Sequence, residues 1–281
     1  MSTLTINKLT ASVGAEIVGV DPERLGTDDG LAAAILDALE DNGVLVFRGL
    51  RLSPEAQVAF AERLGEVDRS ADGHHPVSGI YPITLDKSKN KAAEYLKATF
   101  DWHIDGCTPM HDECPQKATV LSAIEVAARG GETEFANAYA AFDTLTEAEQ
   151  ERYGTLRVVH SLEASQRRVY PDPTPEQRQR WAARPTHENP LVWSHRNGRK
   201  SLVLGASADY IVGMDRDEGR ALLDELLTHA TTEDKVYRHA WSIGDTVVWD
   251  NQGVLHRAAP YEPNSPRHML RTTVLGDEPI Q

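Results

Sequence analysis

Two residues in the pentapeptide WHIDG, His103 and Asp105, stand two apart with an apolar residue between them. On an extended strand such positions project from one face, so an imidazole and a carboxylate converge on one point. That pairing allows a metal site, a catalytic dyad or a buried hydrogen-bonded pair. A third candidate, His256, closes a short apolar strand near the C-terminus, and Arg267 follows it with ten residues between, then Arg271 four residues on. Two imidazoles and one carboxylate form the facial triad expected for non-haem Fe(II), which leaves open positions for a chelating cosubstrate and dioxygen. Zinc accepts the same donors. The paired arginines favour iron, because a dicarboxylate held at such a metal needs a guanidinium to grip its far end. A lesser candidate is Cys107, His111 and Cys114, whose spacing matches no common zinc pattern and which reads as two ordinary loop thiols.

These groups must be held by a scaffold, and its elements are legible. The first block reads as short strands (TLTINKL, GAEIVGV), a helix over DGLAAAILDALEDNG ending on Asn42-Gly43, a compact apolar strand VLVFRG, and a helix SPEAQVAFAERLG with Ser53 as N-cap, Pro54 in its first turn and Gly65 at its close. Residues 66–100 are polar and loop-like, interrupted by a strand at IYPITLD, and read as either a disordered stretch or a lid over a site. Beyond WHIDG, strands dominate: KATVLSAIEV, TEFANA, TLRVVHSLEA, LVWSH, SLVLG, KVYRHAW, DTVVWD, GVLHRAA and HMLRTTVLG, punctuated by turn signals. Two helices intervene, one near 139–152 with a Thr146–Glu149 capping box and one over DEGRALLDELLTHA. Residues 166–189, rich in Arg, Pro, Gln and Glu, read as a surface insertion. No linker splits the chain, so the expectation is one domain over 1–281, a double-stranded β-helix (jelly roll) with helices packed outside.

With 281 residues and a formal net charge of −14, the chain can bury a large core and is a poor match for nucleic acid or anionic membranes. It carries no signal-peptide pattern and no membrane-length apolar stretch, which points to a soluble cytoplasmic protein. Trp102, Trp241 and Trp249 read as core aromatics, and His160, His195, His229, His239 and His268 as surface or strand-packing histidines.

WHIDG, GGETEFANAYAAFDTL, VYRHAWSIGDTVVWDNQGVLHRA, RHMLRTTVLGD and the N-terminal VLVFRG together resemble the Fe(II)/2-oxoglutarate-dependent dioxygenases of the taurine and 2,4-dichlorophenoxyacetate dioxygenase (TauD/TfdA) family, over nearly the whole chain. The resemblance implies His103, Asp105 and His256 as iron ligands, with Thr133 and Arg267 on the distal carboxylate of 2-oxoglutarate. Arg271 falls where the family faces the substrate or cosubstrate carboxylate region, and His75, in HHPVS, where it has a substrate-contacting histidine. Ser78 and Thr99 replace a tyrosine and an asparagine of the taurine enzymes, which speaks against taurine. The GGETEF segment and the late VYRHAW-to-HRA stretch look nearer the phenoxyalkanoate branch. The implied reaction hydroxylates a small anionic organic substrate (a phenoxyalkanoate, sulfonate or alkyl sulfate) with Fe(II), 2-oxoglutarate and O2, releasing succinate and CO2, in a homo-oligomer of two or four copies. Asp105 is intact, whereas halogenating relatives lack that carboxylate. On the residues alone two alternatives stay open: a divalent-metal hydrolase or isomerase on the same triad, which has no use for Thr133 and Arg267, and a non-catalytic binding protein on this fold.

Overall fold

A computed structural model describes residues 4–70, 75–109 and 114–281. Its largest sheet has seven strands, in spatial order Thr5–Lys8, Ala15–Val18, Val44–Phe47, Thr246–Asp250, Ala118–Glu125, His268–Val274 and Tyr81–Ile83. A three-stranded antiparallel sheet sets Thr133–Asn137 between Val236–His239 and Val254–Ala258. The two sheets face each other. Val44, Val46, Leu121, Val247, Trp249 and Met269 from the large sheet meet Phe135, Tyr237 and Val254 from the small one in a single buried cluster. This is the double-stranded β-helix.

Alternation along each strand decides what enters that interior. Leu45 and Phe47, out of phase with Val44 and Val46, pack instead against the helices Asp29–Asn42 and Pro54–Leu64 on the outer face. With both faces covered, VLVF is buried throughout, hence its unbroken apolar run. The helix Asp29–Asn42 starts on Asp28, whose carboxylate accepts the Leu31 N–H, and stops at Gly43, where φ is +69° and an added Cβ would lie 2.9 Å from Val254. The helix Pro54–Leu64 is tied to the large sheet by Gln57, fully buried, whose amide donates to the carbonyls of Val120 and Leu270. On the outer face of the small sheet, Ala136 and Leu255 join Leu222, Leu223 and Leu226 of the helix Arg216–Ala230.

Three expectations change. The helix near 139–152 is two helices, Ala138–Asp143 and Glu147–Tyr153, and the Thr146–Glu149 capping box opens the second. The stretch 166–189 is structured: it finishes the helix Leu162–Val169, contains Pro175–Ala182 under a Thr174–Gln177 capping box, and ends in the strand His187–Pro190. Strand-like HSLEA therefore divides, with His160 ending a strand and Ser161 capping a helix. The described residues within 66–100 include the strand Tyr81–Ile83 and a 3-10 turn over Tyr95–Phe100.

Candidate metal and cosubstrate site

WHIDG is not part of a strand proper. His103 and His256 form an isolated antiparallel bridge in which each backbone N–H donates to the other's carbonyl, at 3.0 and 2.9 Å. His256 is in phase with Val254 on the small sheet, so it points into the sandwich, and Thr133 is in phase with Phe135 and does the same. On the large sheet Arg271 shares the inward face of Met269. One cavity is lined by His103, Asp105, His256, Thr133, Arg267 and Arg271 together. The structure thus gathers six of the seven singled-out residues.

The histidine–aspartate contacts answer the question raised by WHIDG. His103 Nε2 lies 3.8 Å from Asp105 Oδ1 and His256 Nε2 3.7 Å from Asp105 Oδ2, both too long for hydrogen bonds. Donor atoms of all three fall within 4.8 Å of one another. His103 Nδ1 donates to the Asp101 carbonyl at 2.9 Å, which fixes the tautomer and leaves the Nε2 lone pair facing its neighbours. Burial, with His103 and Arg271 nearby, drives His256 down to about 3, so it is a neutral imidazole at physiological pH. Burial opposes the charge on Asp105, but its surroundings, among them the fixed cation Arg271 at 3.5 Å, hold the carboxyl below its ordinary value. A neutral His256 imidazole and an ionised Asp105 carboxylate are protonation states in which both can bind a divalent metal. The donor set fits Fe(II).

At the other end of the cavity lies Arg267, 2% exposed, with Nε donating to the Gly131 carbonyl at 3.1 Å and the guanidinium over the Tyr261 ring. Among the described residues no carboxylate lies within ion-pair distance of it. Burial pulls its pKa below the ordinary arginine value, partly countered by Tyr261 and Glu132. Gly131 is required where it stands, since φ is +76° and a Cβ would come within 2.8 Å of Arg267 Cδ. Thr133, 4% exposed, receives the indole N–H of Trp241 at 2.9 Å.

A second, larger cavity adjoins His103, Asp105 and Arg271, and includes Thr99, Cys107, Cys114, Ser165 and Ser207 in its walls. Cys107 and Cys114 are free thiols, burial pushing Cys107 up to about 12, and His111 lies outside the described residues. His75 lines neither cavity. Its Nδ1 accepts the Val77 N–H at 3.1 Å, so the substrate contact expected of it has no support in the described geometry. Sequence reading missed Tyr261 and Arg257, which line the first cavity, and the bond from Trp241 to Thr133. Trp102 and Trp249 are buried as expected, with Arg257 over Trp102 at 4.6 Å and Trp249 beside the His256 ring at 4.8 Å. His160, His195 and His239 are buried strand or core histidines.

The description "Taurine catabolism dioxygenase TauD, TfdA family" fits residues 5–273. An alpha-ketoglutarate-dependent 2,4-dichlorophenoxyacetate dioxygenase of Cupriavidus pinatubonensis is 36% identical, over 98% of this chain and 99% of its own. An alpha-ketoglutarate-dependent sulfate ester dioxygenase of Pseudomonas putida is 30% identical, over 99% and 91%. The crystal structure of AAD-2 in complex with Mn(II) and N-oxalylglycine superposes with a TM-score of 0.83 at 32% identity, covering 99% of this chain and all of that one. Fold and site define a non-haem, 2-oxoglutarate-dependent dioxygenase, an oxidoreductase that uses Fe(II), 2-oxoglutarate and O2. Within that class the chain belongs to the TauD/TfdA family. Among the described residues, no helix is long and apolar enough to cross a membrane.

Proposed function

We propose that the protein hydroxylates a small anionic organic substrate, with His103, Asp105 and His256 holding Fe(II), Thr133 and Arg267 gripping the distal carboxylate of 2-oxoglutarate, and Arg271 facing the substrate anion. Bound there, Fe(II) couples decarboxylation of 2-oxoglutarate to activation of O2, so that one oxygen atom enters succinate and the other a substrate C–H bond.

The observation that carries this reading is Arg267. A buried guanidinium with no described acidic partner is costly unless an anion meets it, and it faces the same cavity as the metal donors. A dicarboxylate satisfies both ends. A hydrolase or isomerase on the triad would leave that cation unused. Thr133 adds a neutral donor beside it. Arg271 borders both cavities and keeps one guanidinium nitrogen on Asp105, so an anion on its free side is held next to the metal. The protein's own work is ligation, orientation and exclusion of water.

Carboxylates of the phenoxyalkanoate type, sulfonates and alkyl sulfates match one guanidinium beside a roomy cavity, and the relatives act on 2,4-dichlorophenoxyacetate and sulfate esters. The same reading carries one catalytic domain over 1–281, a cytoplasmic location and an assembly of two or four copies. The charge of −14 supports the absence of a nucleic-acid partner. Anaerobic titration of the Fe(II)-loaded protein with 2-oxoglutarate tests the core of it: the weak visible charge-transfer band of the chelate should develop, and each true substrate should perturb it. Metal binding without a band would reject the cosubstrate assignment.

A further inference from the structure

We propose that Trp241 is a positioning residue for the cosubstrate, acting through the hydroxyl of Thr133. This rests on the cosubstrate placement above. Thr133 Oγ1 can accept two hydrogen bonds and donate one. The Trp241 indole N–H, a donor only, occupies an acceptor site on that oxygen at 2.9 Å. No described group receives the Thr133 proton, and the side chain lines the cavity that holds Arg267 and the metal donors. With one lone pair committed to the indole, the hydroxyl enters the cavity as a donor. A carboxylate offers acceptors only, so this is the polarity a carboxylate needs.

The indole is itself held in place. His239 lies opposite Thr133 in the strand register, and Trp241 is two residues further on. The His239 ring, fully buried, meets the indole edge-on at 4.4 Å. Behind it, His239 lies 3.3 Å from Asp245, which also accepts from Arg48 at 2.9 Å and from the Ser242 N–H at 3.0 Å, while Tyr237 reaches His239 Nδ1 at 3.0 Å. A packed polar network thus fixes the ring whose N–H aims the threonine. Arg267 supplies charge and Trp241 supplies direction.

The test is a double-mutant cycle on the Mn(II)-loaded protein, reading 2-oxoglutarate affinity by calorimetry without turnover. Trp241→Phe and Thr133→Val should each weaken binding by about five- to tenfold, the scale of one neutral hydrogen bond, and the double variant should lose under about twofold more than either. In steady state the loss should fall on KM for 2-oxoglutarate, with KM for the organic substrate unchanged. If Thr133→Val weakens binding and Trp241→Phe does not, or if the two losses multiply in full, the positioning role is wrong. If neither Thr133→Val nor Arg267→Met alters binding, the cosubstrate placement fails and the inference with it. A second reading survives a misfolded Trp241 variant. The five tryptophans give five indole N–H signals in a 15N–1H spectrum; Thr133→Val should shift one of them, and five unmoved signals would overturn the proposal.

Discussion

Replacing Arg267 with methionine should separate ligand affinity from stability. The guanidinium is 2% exposed, with Nε donating to the Gly131 carbonyl and the side chain hydrogen-bonded to Tyr261, and no described carboxylate pairs with it. A bound carboxylate would therefore be its main electrostatic partner, and removing a charge-assisted contact to a buried anion costs roughly 2–5 kcal/mol. At about 1.4 kcal/mol per decade, the 2-oxoglutarate dissociation constant should rise about 30- to 4,000-fold. Stability should move differently. A buried cation without an acidic partner is penalised by desolvation, and an apolar chain of similar length relieves that penalty while keeping the packing over Tyr261. The variant without metal or cosubstrate should thus unfold within about 1 kcal/mol of the parent, or later. The assay pairs anaerobic titration of the Fe(II) protein, read by its visible band, with urea unfolding of the metal-free protein. Unchanged affinity, or a loss of several kcal/mol of stability alongside it, would refute the view that this arginine is kept for its ligand.

Three further outcomes follow from the same geometry. His256→Ala should abolish Fe(II) binding and turnover, measured by metal content after desalting, because only His103 and Asp105 remain as donors. Gly131→Ala should cost about 1–2 kcal/mol from the left-handed backbone alone and weaken 2-oxoglutarate binding by displacing Arg267, whose Cδ lies 2.8 Å from the added methyl; melting and cosubstrate titration on one sample check both. Asp250, raised from 3.8 to about 6 chiefly by burial, holds its proton more tightly folded than unfolded, so its contribution is full below about pH 4 and is lost as pH rises through about 6. The stability advantage of Asp250→Asn over the parent should therefore grow across that window and level off above pH 7; unfolding curves with a constant difference would contradict it.

That His103, Asp105, His256, Arg267 and Arg271 would gather at one cavity was legible because each is a residue type whose chemistry is scarce in a core, at spacings that survive in one dimension. The surroundings of His75 were not legible, for the opposite reason. A loop histidine carries no periodicity, and its neighbour in space is the Val77 amide rather than the cavity. Strand alternation gave the inward face of Val44, His256 and Arg271, yet the pairing of strands decides that His239 lies opposite Thr133, and pairing is a long-range property. The Trp241 contact was invisible on that account. The helix inside 166–189 was hidden by its polarity, although TPEQ carried both a capping box and a first-turn proline. Likewise Thr146 marked a helix start, which made one continuous helix over 139–152 inconsistent with its own cap.

The reciprocal bridge between His103 and His256 bears on how the enzyme handles its metal. In small metal-dependent folds the ion draws its ligands together, and stripping it unfolds the chain. Here two backbone hydrogen bonds tie the two histidine residues to each other, with His256 in a sheet strand and the His103 ring fixed by the Asp101 carbonyl. The ordering cost is met during folding, from the core, rather than at metal uptake. Iron removed by chelation should then be replaceable without refolding, so the metal-free protein should melt cooperatively and regain turnover on adding Fe(II).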